Sequence, residues 1–310
     1  MSQQRLPQGT LRESPRIVWA RFATVLAIFF CANSFAQLPQ TKLYLFDISD
    51  DNKATNIQLI GAVSGYNNQP NFSPDGNSLL FTSNFGKGKT DIWSYDLASG
   101  KTTPLTSTVS ESEYSPFMLD NGQIVVVHVL PDDSTQTLHV LSSNPFVSYP
   151  LLALDRPIGY FAVANDSIIA SFVLGKTNDL AITNLHSHET KIVAKDIGRT
   201  LTKVPGNENE ICFVQMQDST WHFHTINIFT DSTDFNLPFA DVQDFGWYGG
   251  VFIAAAKNGQ VSIEGGYDKG KLVWINKYDL TQTPAREFYR LAISRDGKHL
   301  AVVAYAGKKP

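Results

Sequence analysis

The side chains suited to chemistry in this 310-residue chain are seven histidines, two Asp-Asp pairs, one serine set among glycines and two cysteines. His222 and His224 lie two apart in a stretch read as a strand, so both imidazoles point to one face, and two such rings could share a metal. A metal site needs a third or fourth ligand, and no neighbouring residue type supplies one, so both are read as hairpin side chains. His186 and His188 repeat the spacing within a surface turn. Asp50-Asp51 and Asp132-Asp133 fall between expected strands. Calcium takes six or more oxygens, and neither pair has EF-hand spacing, so both are read as turn residues. Gly61-Ala62-Val63-Ser64-Gly65 misses the Gly-x-Ser-x-Gly spacing of a nucleophile elbow and reads as a turn at a strand end. Cys212, inside the apolar run Ile211-Cys212-Phe213-Val214, reads as a buried inert thiol. No catalytic residue, metal site or cofactor is expected, and the chain is not expected to be an enzyme.

The elements that must carry these residues repeat. Pro70-Asn71-Phe72 leads into Ser73-Pro74-Asp75-Gly76, a tetrad suited to a type I turn, and then into Leu79-Leu80-Phe81-Thr82-Ser83. Asp91-Ile92-Trp93-Ser94-Tyr95-Asp96-Leu97 follows, and a fourth short strand lies near Thr103-Pro104-Leu105. Four successive antiparallel strands make one propeller blade. Counted at the hairpin turns, the steps from Gly76 to Gly122, Ser167, Asn209, Gly250 and Gly297 are 46, 45, 42, 41 and 47 residues. Blade repeats of roughly 40–50 residues have this period. The last hairpin lacks two outer strands, while Leu43–Ile48 and Asn56–Ile60 offer two strands without a hairpin. Together they predict an all-β, six-bladed β-propeller of four-stranded antiparallel blades, the last closed by the N-terminal strands, with no sheet edge left open. Trp93, Phe81, Phe117, Phe161 and Phe213 are expected to pack blade on blade, with a sugar platform as the alternative.

Arg5, Arg12, Arg16 and Arg21 precede the apolar run Phe22–Cys31, and Ser34-Phe35-Ala36 supplies small residues before Gln37. This is the pattern of a secretory signal over residues 1–36, cleaved near Ala36-Gln37, leaving a single domain over 37–310. The 15 residues from Phe22 to Ala36 are short of the roughly 20 that span a bilayer. Phe30 before Cys31 argues against a lipid anchor. The formal charge of -4 becomes about -7 once four Arg and Glu13 are removed. With no basic block, nucleic acid is not an expected partner.

Phe72-Ser-Pro-Asp-Gly76 with its apolar strand, then Asp91-Ile-Trp-Ser-Tyr-Asp-Leu97, and the later Ile293-Ser-Arg-Asp-Gly297 copy resemble the WD40-like repeats of TolB-type propellers. The middle repeats are worn, and periodicity extends the likeness over nearly all of 37–310. Members of that family carry an α/β domain ahead of the propeller. Here the first strand is expected a few residues after the signal, so the resemblance is to the propeller module. It implies a non-catalytic protein of the periplasm or exterior that binds a protein or peptide of the cell envelope, with no membrane span after cleavage, expected as a monomer. The channel mouth is expected to present Gln69, Glu113, Arg156, Arg199, Asp244 and Arg286 from different blades. The alternative function is a metal-dependent lyase or hydrolase acting on carbohydrate or a small ester in the channel.

Overall fold

The computed structural model describes residues 38–142, 147–239, 243–248, 252–257, 260–268, 271–281, 284 and 288–307. The signal segment and its Cys31, the Gly249-Gly250 turn and Arg286 lie outside the described residues.

Strands follow one another along the described residues. β1 (Thr41–Ile48) and β2 (Ala54–Ile60) come first, and then β3 (Asn67–Phe72), β4 (Ser78–Ser83), β5 (Asp91–Asp96) and β6 (Thr102–Pro104). The second run is β7 (Ser112–Met118), β8 (Ile124–Val129), β9 (Gln136–Leu141) and β10 (Ser148–Leu152). The third is β11 (Ile158–Asn165), β12 (Ile168–Val173), β13 (Asp179–Asn184) and β14 (Thr190–Ala194). The fourth is β15 (Ile197–Val204), β16 (Asn207–Gln217), β17 (Thr220–Asn227) and β18 (Thr233–Pro238). β19 (Gly246–Tyr248), β20 (Phe252–Lys257), β21 (Gln260–Asp268) and β22 (Lys271–Asp279) form the fifth, and β23 (Phe288–Ile293) and β24 (His299–Tyr305) end the chain.

Each of these five runs forms its own four-stranded antiparallel sheet, and a further sheet, ordered β2-β1-β24-β23, takes two strands from each end of the chain. Leu43 pairs with Val303 and Leu45 with Ala301 across that seam. The all-β propeller of four-stranded sheets therefore holds. The seam is fastened to the next sheet by polar groups: Thr41 Oγ1 donates to the Asn67 carbonyl at 2.8 Å, and Asn67 Nδ2 donates back to the Thr41 carbonyl at 3.0 Å.

The turn tetrads explain why the hairpins form where they do. Ser73 Oγ donates to Asp75 Oδ1 at 2.6 Å, the Ser78 amide donates to Ser73 Oγ at 2.9 Å, and Gly76 takes φ of 74°. Ser294, Asp296, His299 and Gly297 reproduce these contacts at 2.6 Å and 2.9 Å with φ of 70°. A worn copy keeps only part of this device: Asn165 Oδ1 accepts the amides of Ser167 and Ile168.

Apolar clusters fill the space between neighbouring sheets. Val125, Val127 and Leu138 meet Ile158 and Ile169, while Leu180 and Ala170 meet Ile211 and Phe213. Leu43 and Val303 meet Leu79 and Phe81. Phe81 and Phe213 are buried in these clusters, and Phe117 meets Phe161 edge-on at 6.5 Å, so these four aromatics pack between blades, while Trp93 stacks on Phe85 at 3.9 Å. Cys212 is buried beside Val214 and Phe223; its Sγ donates to the Thr202 carbonyl at 3.2 Å, and burial pushes the thiol pKa well up. No helix among the described residues is long and apolar enough to cross a membrane.

Candidate functional site

The first strands of the sheets, β3, β7, β11, β15, β19 and β23, all contribute to one cavity of about 610 Å³. Its lining runs from the middle of these strands to their C-terminal ends, from Gln69 to Pro74 and from Arg199 to Gly206. Five of the six strands break register just where they reach the cavity, between Asn68/Asn71, Tyr114/Phe117, Ile158/Tyr160, Ile197/Leu201 and Phe288/Arg290. A register break of this kind leaves residues unpaired and re-aims their side chains. Gln69 and Ser115, each followed by proline, hold left-handed φ of 52° at the break. Gln69 Oε1 accepts the Ser115 amide at 3.2 Å, joining the first and second sheets at the cavity wall.

The floor is a charged cluster. Asp244 is buried; its Oδ2 accepts from Arg199 NH2 at 2.9 Å and its Oδ1 from Arg290 Nε at 2.8 Å. Arg290 also donates from NH1 to Asn68 Oδ1 at 3.0 Å and from NH2 to the Tyr160 hydroxyl at 3.3 Å. Its guanidinium carbon stands 5.2 Å from the Tyr160 ring centre and 5.9 Å from that of Tyr289. Burial is the largest influence and works against both guanidinium charges, but the Asp244 carboxylate together with the Tyr160 and Tyr289 hydroxyls outweighs it and holds both pKa values above the ordinary arginine value. Desolvation in the same cluster raises the Tyr289 phenol. Arg199 Nε is buried without a hydrogen bond.

Of the expected mouth residues, Gln69, Arg199 and Asp244 are brought together at this cavity. Glu113 and Arg156 are not, which corrects the expectation for both. Glu113 is fully buried beside His128, its Oε1 standing 3.4 Å from His128 Nδ1. Arg156 is occupied within its own sheet: NH1 donates to Asp179 Oδ2 at 2.5 Å, Nε to the Leu174 carbonyl at 3.0 Å, and NH2 to the Val173 and Thr177 carbonyls. A guanidinium satisfied by three carbonyls and a carboxylate holds a loop closed and has little left for a ligand. Arg286 lies outside the described residues. Arg290 went unnoticed because its neighbours in Phe288–Ile293 are apolar or aromatic, although it is the third residue of its strand, as Gln69 and Arg199 are of theirs. A charge in the interior of a buried strand was the available signal.

His224 is buried, stacks on Phe213 at 5.4 Å, and has Nε2 3.1 Å from Gln217 Nε2. His186 and His188 are exposed in a turn capped by Asn184, whose Oδ1 accepts the His186 amide at 2.9 Å. Asp132 caps its own turn, accepting the amides of Ser134 and Thr135 and the Thr135 hydroxyl, which lowers its pKa to about 2. Ser64 lies in a turn between Gly61 and Gly65, both at positive φ.

Electrostatically the cavity reverses the rest of the molecule. Its charged lining among the described residues is Arg199, Lys203, Arg290 and Arg295 against Asp244 alone, on a chain whose formal charge is -4. Phe117, Phe161, Phe245 and Trp247 add an apolar wall. Convergent polar groups on a mostly apolar concave surface are the usual makings of a ligand site.

No family model matches the chain, and no curated protein does. Solved structures share its fold. A protein assigned as TolB from Agrobacterium tumefaciens superposes with a TM-score of 0.63 at 12% identity, over 87% of this chain and 99% of that one. TolB from Acinetobacter baumannii gives 0.56 at 10% identity, over 87% of this chain and 65% of its own length. An oligogalacturonate lyase in complex with manganese also gives 0.56, at 12% identity, over 81% and 80%. The chain spans about a third of the length of a puromycin hydrolase that it also matches, 30%, at a TM-score of 0.47. The likeness establishes a β-propeller fold shared with TolB proteins.

Proposed function

We propose that this chain is a non-catalytic binding propeller of the periplasm or exterior, whose central cavity receives an acidic segment of a protein or peptide partner. One observation carries the reading: an acidic chain concentrates Arg199, Lys203, Arg290 and Arg295 around a concave, partly aromatic surface with a single carboxylate among the described residues. That carboxylate, Asp244, is shared by two guanidinium groups, and Arg295 also meets Asp120 at 3.3 Å, so Arg199 and Lys203 carry the positive charge left for a ligand. Arginine suits such a role because its planar fork meets carboxylates with two parallel hydrogen bonds. The register breaks support the same reading, because strained or bulged backbone gathers where side chains are aimed at a ligand. The N-terminal signal pattern motivates the location, and likeness in fold to TolB proteins motivates a protein partner.

The test is capture of cross-linked proteins from the envelope fraction by the wild-type chain and by an Arg199→Ala, Lys203→Glu, Arg295→Glu variant. The variant is expected to lose the partner that the wild type captures. Equal capture by both would place binding elsewhere. A second reading keeps the cavity and makes its occupant an acidic carbohydrate that the protein cleaves. The same positive lining favours it, as does likeness in fold to the oligogalacturonate lyase. Turnover of an acidic oligosaccharide by the wild type, lost in the variant, would decide for that reading.

A further inference from the structure

A second concentration of buried charge lies away from the channel, where β7 and β8 face the connection from β6. Glu113 is 0% exposed, His128 is 3% exposed, and Glu111 is half-buried beside them. One ligand atom from each lies within 4.8 Å of the other two. His128 Nε2 is 3.2 Å from Glu111 Oε2, and its Nδ1 is 3.4 Å from Glu113 Oε1. Both Glu113 Oε1 and His128 Nδ1 are buried and make no hydrogen bond.

The second oxygen of Glu113 explains how the first is aimed. Glu113 Oε2 accepts from the hydroxyls of Thr106 at 3.1 Å and Thr108 at 3.2 Å, which fixes the plane of the carboxylate. Asp91 stands against the same threonines, accepting the Thr108 amide at 2.9 Å, and adds a third carboxylate nearby. Among the described residues the ion-pair partner of both Glu111 and Glu113 is His128, with no Lys or Arg at either. An imidazolium neutralises one of two carboxylates; a dication neutralises both. Uncompensated charge at a site this buried is costly, which is why buried charges are paired or coordinate metals.

We propose that Glu111, Glu113 and His128 hold a divalent cation of the zinc class, through one imidazole nitrogen and one oxygen from each carboxylate. Mixed imidazole and carboxylate donors suit zinc among the biological divalent ions. Two ligands about 2.1 Å from a tetrahedral ion stand about 3.4 Å apart; whichever imidazole nitrogen binds has one carboxylate oxygen at that bite, 3.2 Å for Nε2 or 3.4 Å for Nδ1, and the three donors lie within 4.8 Å of one another. Water is the fourth ligand, supplied from a cavity of about 420 Å³ that Glu113 lines together with Thr106, Thr108 and Ser148. Thr106 and Thr108 orient the ligating carboxylate, as outer partners of metal ligands do. Because they belong to the connection leaving the first sheet, the ion pins that connection to the second.

The full untagged chain, stripped with EDTA and dialysed against Zn²⁺, is expected to retain one equivalent by elemental analysis. Co²⁺ in its place is expected to give the visible absorption of a tetrahedral nitrogen–oxygen site. Glu113→Gln and His128→Gln should each weaken Zn²⁺ binding at least about 100-fold, the upper end of what loss of an outer partner alone costs. Glu111→Gln, at a half-buried position that tolerates the change, gives the same reading if either buried variant fails to fold. His186→Ala should leave uptake unchanged. The proposal is overturned if Zn²⁺ shows no saturable uptake, if uptake survives both Glu111→Gln and Glu113→Gln, or if it is lost instead on changing His222 and His224.

Discussion

Asp244 and Glu113 are both buried carboxylates near the inner strands, and their surroundings are opposite. Asp244 is shared by two guanidinium groups, at 2.9 Å and 2.8 Å, inside a cavity whose charged lining among the described residues is otherwise basic. Glu113 shares a single imidazole with Glu111 and has Asp91 nearby. The first region is over-supplied with positive charge and the second with negative charge. Low-dielectric surroundings make each imbalance expensive, which is the basis for proposing an anion at the channel and a cation between the sheets.

Removing the two carboxylates should therefore have unequal consequences. Asp244→Ala strands Arg290 in a buried site and is expected to cost about 3–5 kcal/mol, the usual loss when one partner of a buried ion pair is deleted. Glu113→Gln in metal-free protein keeps an oxygen for Thr106 and Thr108 and relieves like-charge repulsion, so its cost should stay within about 1 kcal/mol. Urea unfolding of both variants is the measurement; equal losses would erase the distinction between the regions.

Ligand linkage sharpens it further. Zn²⁺ at 100 times its dissociation constant should stabilise the wild type by about 2.7 kcal/mol, because an ion bound only to the folded state shifts the equilibrium by that amount. Arg199→Ala should show the same gain and Glu113→Gln none, read as thermal midpoints with and without EDTA. A gain that disappears in Arg199→Ala would mean that the ion sits in the channel.

At the channel, Arg199→Ala is expected to weaken the partner about tenfold, or about 1.4 kcal/mol, with little change in stability. Asp244 keeps Arg290 in that variant, so the floor of the cavity stays neutralised. Titration of the purified partner by calorimetry is the check. Unchanged affinity would remove Arg199 from the binding surface.

The smallest effect belongs to a charged pair outside both regions. Burial pushes the Asp179 carboxyl upward, but hydrogen bonds from Arg156 and Thr177 and the Arg156 and Lys195 charges outweigh it and hold the pKa below the ordinary value. A lowered folded pKa contributes stability that is present above the unfolded value, about pH 4, and is lost as pH falls through the folded value. Arg156 is one-third exposed, so solvent screening keeps the contribution below about 1 kcal/mol. Arg156→Met should flatten stability below pH 4 by that much and leave Zn²⁺ uptake and partner binding untouched.

The repeat was legible because each hairpin turn is a local problem with a local solution. Ser73, Asp75 and Gly76 complete their hydrogen bonds within six residues, as do Ser294, Asp296 and Gly297, so four letters of sequence reveal the turn. The seam was legible for a related reason: two strands at one end lacked a hairpin and a hairpin at the other lacked two strands. The site was legible only in part. Gln69, Arg199 and Asp244, chosen for their places near strand entrances, line the cavity. Arg156 looks the same in the sequence, yet three carbonyls and a carboxylate of its own sheet consume it.

Strand periodicity, turn chemistry and the period of the repeat were sufficient to determine the all-β propeller, because they act over a few residues and repeat along the chain. Which side chains meet was decided by tertiary structure alone. Arg290 and Asn68 are 222 residues apart and 3.0 Å apart in space, and Arg290 reaches Asp244 across 46 residues. Closing the ring brings such strands to one axis, and the breaks in register there turn their side chains inward. The balance of charge at each buried site is a sum over those long-range neighbours, which no window of sequence contains.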